Sequence, residues 1–196
     1  MKFSKRTTGK TAEEFEGLPF SRPRITSALS GHNNNRALLF SRADFCEYNT
    51  KNGRFLTGTQ SVKGHDDFKD FPFREVQGSA LIPKKNNSAL FFSGHSHVEW
   101  NAKNMKKEGD EKRNSDLFGF DVNVNAVLGL EDVMIIFYGR QYAVWNGKKV
   151  VEKDQSIADK FDGLDAVNGT LVVPGDKPTV YLFNDVDFYK YEDLQW

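Results

Sequence analysis

Apolar and polar positions along this chain follow one phrase that occurs four times. It reads ALLFSRADFCEYN at 37–49, ALFFSGHSHVEWN at 89–101, MIIFYGRQYAVWN at 134–146 and VYLFNDVDFYKYE at 180–192. Superposed without gaps, the copies bring Phe40, Phe92, Phe137 and Phe183 into one column, and Tyr48, Trp100, Trp145 and Tyr191 into another eight residues on. A third column between them holds Phe45, His97, Tyr142 and Phe188. The first column recurs at spacings of 52, 45 and 46 residues, a period that marks a repeat architecture. Each copy predicts a β-hairpin: a mostly apolar run, a polar turn such as Ser41–Arg42–Ala43–Asp44, and a second strand that ends on the outer aromatic column. Gly94, Gly139 and Asn184–Asp185 sit in the other turns, where their backbones tolerate a tight reversal.

A hairpin alone is marginal in water and needs further strands. Each copy is preceded by a segment rich in small residues: RITSALSG (24–31), VQGSALIP (76–83), VNVNAVLG (122–129) and LDAVNGTLVV (164–173). Small side chains let strand backbones converge on an axis, so these are expected to be inner strands. Polar connectors at 32–36, 84–88, 131–132 and 174–178 join them to the hairpins. After each of the first three hairpins the chain reads as an outer strand, a short helical turn and an aromatic plug, ending near 73, 120 and 164. After the fourth the chain stops, and residues 2–20 repeat the layout of 54–73, with Phe3 against Phe55 and Phe15 against Phe68. The N-terminus is therefore expected to close a ring, residues 1–8 pairing beside the strand that ends near Tyr191, which removes a free sheet edge. The result is an all-β, four-bladed β-propeller in a single domain, 1–196. Blade 1 covers about 21–73, blade 2 about 74–120, blade 3 about 121–163, and blade 4 about 164–196 with 1–20.

Charge excludes some partners. Lys plus Arg and Asp plus Glu are both 27, so no long-range field draws the chain to nucleic acid or to an anionic membrane. Seventeen Phe, six Tyr and three Trp supply the core of a β protein. Cys46 is the single cysteine, so no internal disulfide forms. The opening residues contain no apolar run of signal-peptide type, and a cytoplasmic location is expected.

The hairpin phrase, preceded by a small-residue strand carrying Asp165–Ala166, resembles the hemopexin repeat; Tyr181–Phe183 followed by Asn184–Tyr191 is the copy most similar to it. The resemblance covers about 12–196 and is to the single-domain seed albumin-2 type, although the first-to-last-blade disulfide of secreted hemopexin domains has no counterpart here. It implies a central channel in which main-chain carbonyls ring a cation, Ca2+ or Na+. Carried over by position, those carbonyls belong to Thr26, Gly78, Asn125 and Asp165. It also implies ligands such as proteins, polyamines or haem, although no residue pattern supports haem. The starts of the inner strands would line the channel mouth with Arg24, Arg74, Glu75, Asn123 and Asp165, of which Glu75 and Asp165 are counter-charges for an amine.

Other chemistry reads as packing. His95 and His97 are two apart on a strand and could hold a transition metal between them, yet His97 stands in the aromatic column and fits a ring's place in blade packing. Cys46 aligns with Val98, Ala143 and Tyr189 and is expected to be a buried, inert thiol. No nucleophile has a histidine placed to activate it, so no enzyme is expected. The expected function is a non-enzymatic binding protein, a monomer or weak homodimer, taking a small molecule or a protein at the channel mouth or blade faces. The alternative is a carbohydrate-binding or defence (toxin-like) protein, which would need Trp100 and Trp145 exposed as stacking platforms.

Overall fold

The computed structural model describes residues 3–33, 35–85 and 87–193, with side chains from 31 to 33 excepted. The outermost ends expected for the closing strand and for blade 4, at 1–2 and 194–196, lie outside these, as do positions 34 and 86 in two connectors.

Four antiparallel sheets form, one from each repeat, and each hairpin reverses within its predicted polar turn over two unpaired residues. Ser41 pairs with Asp44, Ser93 with Ser96, Tyr138 with Gln141 and Asn184 with Asp187. The first turn residue is left-handed in every blade: Arg42 (φ 58), Gly94 (φ 58), Gly139 (φ 56) and Asp185 (φ 56). The inner strands are Ser27–Asn33, Gly78–Leu81, Ala126–Gly129 and Gly169–Val173. They touch one another in a closed cycle, the fourth against the first, and so surround one axis.

Outer strands differ between blades. Blades 1 and 2 build theirs from two fragments, Arg54–Phe55 with Gln60–Ser61 and Lys106–Lys107 with Lys112–Arg113. Blade 3 has one strand, Val150–Ser156, that meets its neighbour with register shifts. In blade 4 the N-terminal strand Lys5–Lys10 takes the place, pairing from Lys5 with Glu192 to Lys10 with Asp187. The ring thus closes as the chain's pattern predicts.

The cores lie between blades rather than within them. Phe15 packs among Ile25, Leu39 and Tyr48 of blade 1 and Tyr181 and Phe183 of blade 4. Phe68 sits between blades 1 and 2, Phe118 between blades 2 and 3, and Phe161 between blades 3 and 4. Phe68 and Phe118 end short helical turns, Phe15 and Phe161 directly follow theirs, and each is buried. Burying a Phe contributes roughly 1.5–3 kcal/mol, and here each one seals two sheets at once. Trp100 and Trp145 are 0% and 4% exposed and belong to the same interfaces.

Candidate functional site

Each inner strand is introduced by the same three-residue sequence of environments. A fully buried apolar residue comes first, at Ile25, Val76, Val124 and Val167. A polar residue comes next, and its N–H donates to the carbonyl of the Phe column: Thr26 to Phe40 at 2.8 Å, Gln77 to Phe92 at 3.0 Å, Asn125 to Phe137 at 2.8 Å and Asn168 to Phe183 at 2.7 Å. A small residue then starts the strand: Ser27, Gly78, Ala126 or Gly169. In three blades the polar side chain also caps its own hairpin turn. Thr26 Oγ1 accepts from the Arg42 N–H at 2.9 Å, Asn125 Oδ1 from the Gly139 N–H at 2.6 Å, and Gln77 Oε1 from the Gly94 N–H.

This equivalence revises the expected ring of four. Thr26 and Asn125 hold the shared position, whereas Gly78 stands one residue beyond it and Asp165 three before it. The residues that match Thr26 and Asn125 are Gln77 and Asn168. The physical reason is the buried residue: Val76 and Val167 must each fill their own interface between blades as Ile25 and Val124 fill theirs, and this fixes the register of the polar and small residues after them.

The residues expected at the mouth do not converge on one cavity. Arg24 Nε lies 3.4 Å from the Asp185 carboxylate, in the turn of the neighbouring blade. Arg74 is exposed and borders a groove with His65, Phe71 and Phe73. Glu75 is half-buried beside it. Asn123 is exposed in a separate cleft with Tyr138, and Asp165 is exposed at the blade 3 to blade 4 crossing.

A cavity of about 520 Å³ lies at the opposite end of the axis, where the inner strands finish. Ala28, Ala80, Leu81, Ile82, Leu130 and Val172 give it apolar walls, and Ser30, Ser79 and Thr170 contribute hydroxyls. The Ser79 hydroxyl is engaged with Ser27 Oγ at 2.6 Å and that of Thr170 with the Val127 carbonyl, whereas Ser30 Oγ is buried with no partner among the described residues. Charged groups from the inner connectors rim the opening. Lys84 pairs with Asp132 across blades 2 and 3 at 3.2 Å, and Lys85 pairs with Glu99 at 3.3 Å. Glu131, exposed at the same rim, has no ion-pair partner among the described residues. Apolar walls, a few placed polar groups and this volume are the features of small-molecule sites. The sequence signal for it was the short connector Glu131–Asp132 between two apolar strands, facing the Lys84–Lys85 connector of the preceding blade.

His97 is 5% exposed, and its ring lies 6.0 Å from that of Phe92. Burial lowers its pKa below 6.5. His95 points elsewhere, its Nδ1 3.0 Å from the Asp121 carboxylate. Among the described residues no group of three or more His, Cys, Asp and Glu side chains converges to hold a metal. Cys46 is fully buried, and burial pushes its thiol up to about 12, which keeps it from acting as a nucleophile at neutral pH.

No protein-family model matches this chain, and no curated protein sequence matches it. Solved structures do. A hemopexin-fold protein from cow pea superposes with a TM-score of 0.74 at 15% identity, covering 85% of each chain. A seed albumin from Lathyrus sativus gives 0.70 at 18% identity over 82% of each chain. A plant lectin with two metal binding sites from Cicer arietinum gives 0.64 at 16% identity, over 82% of this chain and 87% of that one. With its four sheets in a ring and its blade-to-blade plugs, this chain therefore has the hemopexin fold, the four-bladed propeller that the seed albumins share.

Proposed function

We propose that this chain is a non-enzymatic binding protein that holds a small amine with an apolar or methylene body in the cavity at the end of the axis. The cavity itself carries the reading: apolar walls beneath a rim on which, among the described residues, the Glu131 carboxylate is the charge without an ion-pair partner. A methylene chain covers Leu81, Leu130 and Val172, and an ammonium group meets Glu131. Haem finds no support here, because no His, Met, Cys or Tyr stands among the described lining residues to ligate its iron. Calorimetric titration with spermine tests the proposal. Saturable heat in the wild type and affinity weakened roughly tenfold or more in Glu131→Gln is the expected outcome, equivalent to about 1.4 kcal/mol. Absence of heat in the wild type, or unchanged binding in the variant, counts against it.

An axial cation is a second reading, favoured by one observation. The main-chain carbonyls of Thr26, Gln77, Asn125 and Asn168 accept no hydrogen bond from other described residues, although their N–H groups are all engaged. Unpaired carbonyls near an axis suit a hard cation such as Ca2+ or Na+. The lectin neighbour with two metal binding sites lends this support. Elemental analysis showing about one Ca2+ per chain, with a melting temperature lowered by EDTA and restored by Ca2+, is expected. Metal-free protein indifferent to EDTA and to added Ca2+ and Na+ removes the reading. The carbohydrate alternative that rests on Trp100 and Trp145 has no stacking platform there, since both rings are buried between blades.

A further inference from the structure

Blade 3 carries a surface construction that its fold does not require. The last residue of the first hairpin strand is Ser41, Ser93 and Asn184 in blades 1, 2 and 4, but Tyr138 in blade 3. The Tyr138 hydroxyl donates to Asp154 Oδ1 at 3.0 Å and accepts the Asp154 N–H at the same distance. Asp154 lies in the register shift between Glu152 and Gln155 and has a left-handed backbone (φ 54), the one described outer-strand residue to do so, and in that conformation it makes both bonds. Non-glycine residues held in that region concentrate at functional sites, because the surrounding structure must enforce them. The ring of Tyr138 is thereby fixed in place, 5.9 Å from that of Phe120. Lys153 Nζ lies 4.4 Å over the Phe120 ring and 3.6 Å from Asp154 Oδ2.

These residues wall an open cleft of about 650 Å³ whose remaining sides are Asn123, Arg140 and Gln141. Most of its charge is already spent internally. Lys153 pairs with Asp154, and Asp121 pairs with His95. The amides of Asn123 and Gln141 and the guanidinium of Arg140 are exposed and have no side-chain partner among the described residues. What the cleft offers a ligand is one immobilised aromatic ring, two planar amides and a fork of donors. That combination matches a molecule with an apolar ring face and a rim of hydroxyls.

We propose that this cleft binds a pyranose sugar, its axial C–H face on the Tyr138 ring and its hydroxyls on Asn123, Gln141 and Arg140. The site is separate from the axial cavity, so the two readings stand or fall independently.

Saturation-transfer and chemical-shift NMR test it, with methyl β-glucoside, methyl β-galactoside and methyl N-acetyl-β-glucosaminide as probes. At least one glycoside is expected to shift the Tyr138 ring resonances saturably. Tyr138→Ser restores the residue that blades 1 and 2 use, so it is expected to fold like the wild type and to lose that binding at least roughly tenfold. Gln141→Ala, at an exposed position, gives the same readout should the first variant fail to fold. The proposal is overturned if no glycoside tighter than ~10 mM perturbs Tyr138, if the perturbed resonances lie elsewhere, or if the folded variants bind as the wild type does.

Discussion

Replacing Gly169 with alanine is the sharpest test of how closely the inner strands converge. A Cβ built on Gly169 would stand 2.0 Å from the carbonyl oxygen of Ile25, 2.8 Å from its carbonyl carbon and 3.1 Å from that of Thr26. Carbon-to-oxygen contacts settle near about 3.3 Å, so the blade 4 strand must retreat from blade 1 by more than about 1 Å. Neither backbone is free to give. Thr26 is tied to Phe40 at 2.8 Å and Asn168 to Phe183 at 2.7 Å, and a shift of that size carries such bonds out of hydrogen-bond range. Overpacking costs about 1–3 kcal/mol, with a further ~1 kcal/mol for a strained ladder bond, so Gly169→Ala is expected to lose ~3 kcal/mol.

Two further glycines grade the effect. At Gly78 the added methyl meets Val127 Cγ2 at 2.7 Å, a side-chain atom that can partly yield, so about 1–2 kcal/mol is expected. Around Gly58 nothing lies within 4 Å and its φ is not left-handed; Gly58→Ala should be neutral or gain up to about 1 kcal/mol through the unfolded chain. Urea unfolding followed by tryptophan fluorescence reads all three, since Trp100 and Trp145 are buried in two different interfaces. For a chain of this size ~3 kcal/mol is a fall of roughly 6–12 °C in melting temperature. A Gly169→Ala protein within about 0.5 kcal/mol of wild type would refute convergence of these strands.

His97 predicts a pH response. Burial is the main cause of its lowered pKa, Lys112 acts the same way, and Asn114, Asp116 and Glu99 oppose it. As pH falls below 6.5 the unfolded chain binds a proton that the buried ring refuses, so stability drops from there down to the folded pKa and is flat above; His97→Phe should flatten the urea-midpoint profile across that window, and an unchanged slope would exclude His97 as its source. For Cys46, sealed and with its thiol raised to about 12, a disulfide reagent at pH 8 should label only the unfolded protein, and prompt labelling of the native state would contradict the burial. Deleting residues through Lys10 leaves the strand Asp187–Glu192 as an open edge, so a lower melting temperature and concentration-dependent association on size exclusion are expected, while a stable monomer would show the closing strand to be dispensable.

The repeat made the architecture legible because the buried columns recur at fixed offsets and hairpin turns leave a strong local mark. Closure by the N-terminus was legible too, since Phe3 and Phe15 reproduce the layout of Phe55 and Phe68. Register at the inner strands was less so. Composition offered Asp165–Ala166 as the fourth small-residue start, and only the demand that Val167 be buried beside Leu164 and Phe161 moves the start to Asn168–Gly169. The pattern apolar, polar, small (Ile25–Thr26–Ser27, Val76–Gln77–Gly78, Val124–Asn125–Ala126, Val167–Asn168–Gly169) was present in the chain and would have settled it. The axial cavity was harder to foresee. Which end of the channel stays open depends on how the connectors fold over it, and pairs such as Lys84 with Asp132 join residues from different repeats.

A repeat fold also tells which departures call for a functional explanation. Each core is shared by two blades, so a buried column position is constrained twice, and even His97 and Cys46 conform by staying buried in place of a ring or an aliphatic chain. Positions outside those columns are free to differ. Tyr138 and Asp154 stand out: the tyrosine departs from the serine or asparagine of its column, and the aspartate, left-handed at the register shift of the outer strand, holds its hydroxyl through two hydrogen bonds. Ser41 and Ser93 end the same strand in their own blades without such a pair. The rim at Glu131 is a departure of the same kind, since a carboxylate with no ion-pair partner among the described residues stands over apolar walls beside two ion pairs that are complete. The two sites proposed for recognition therefore both lie where four-fold equivalence breaks, one at the end of the axis and one on the face of blade 3, while the four interfaces between blades hold the frame around them.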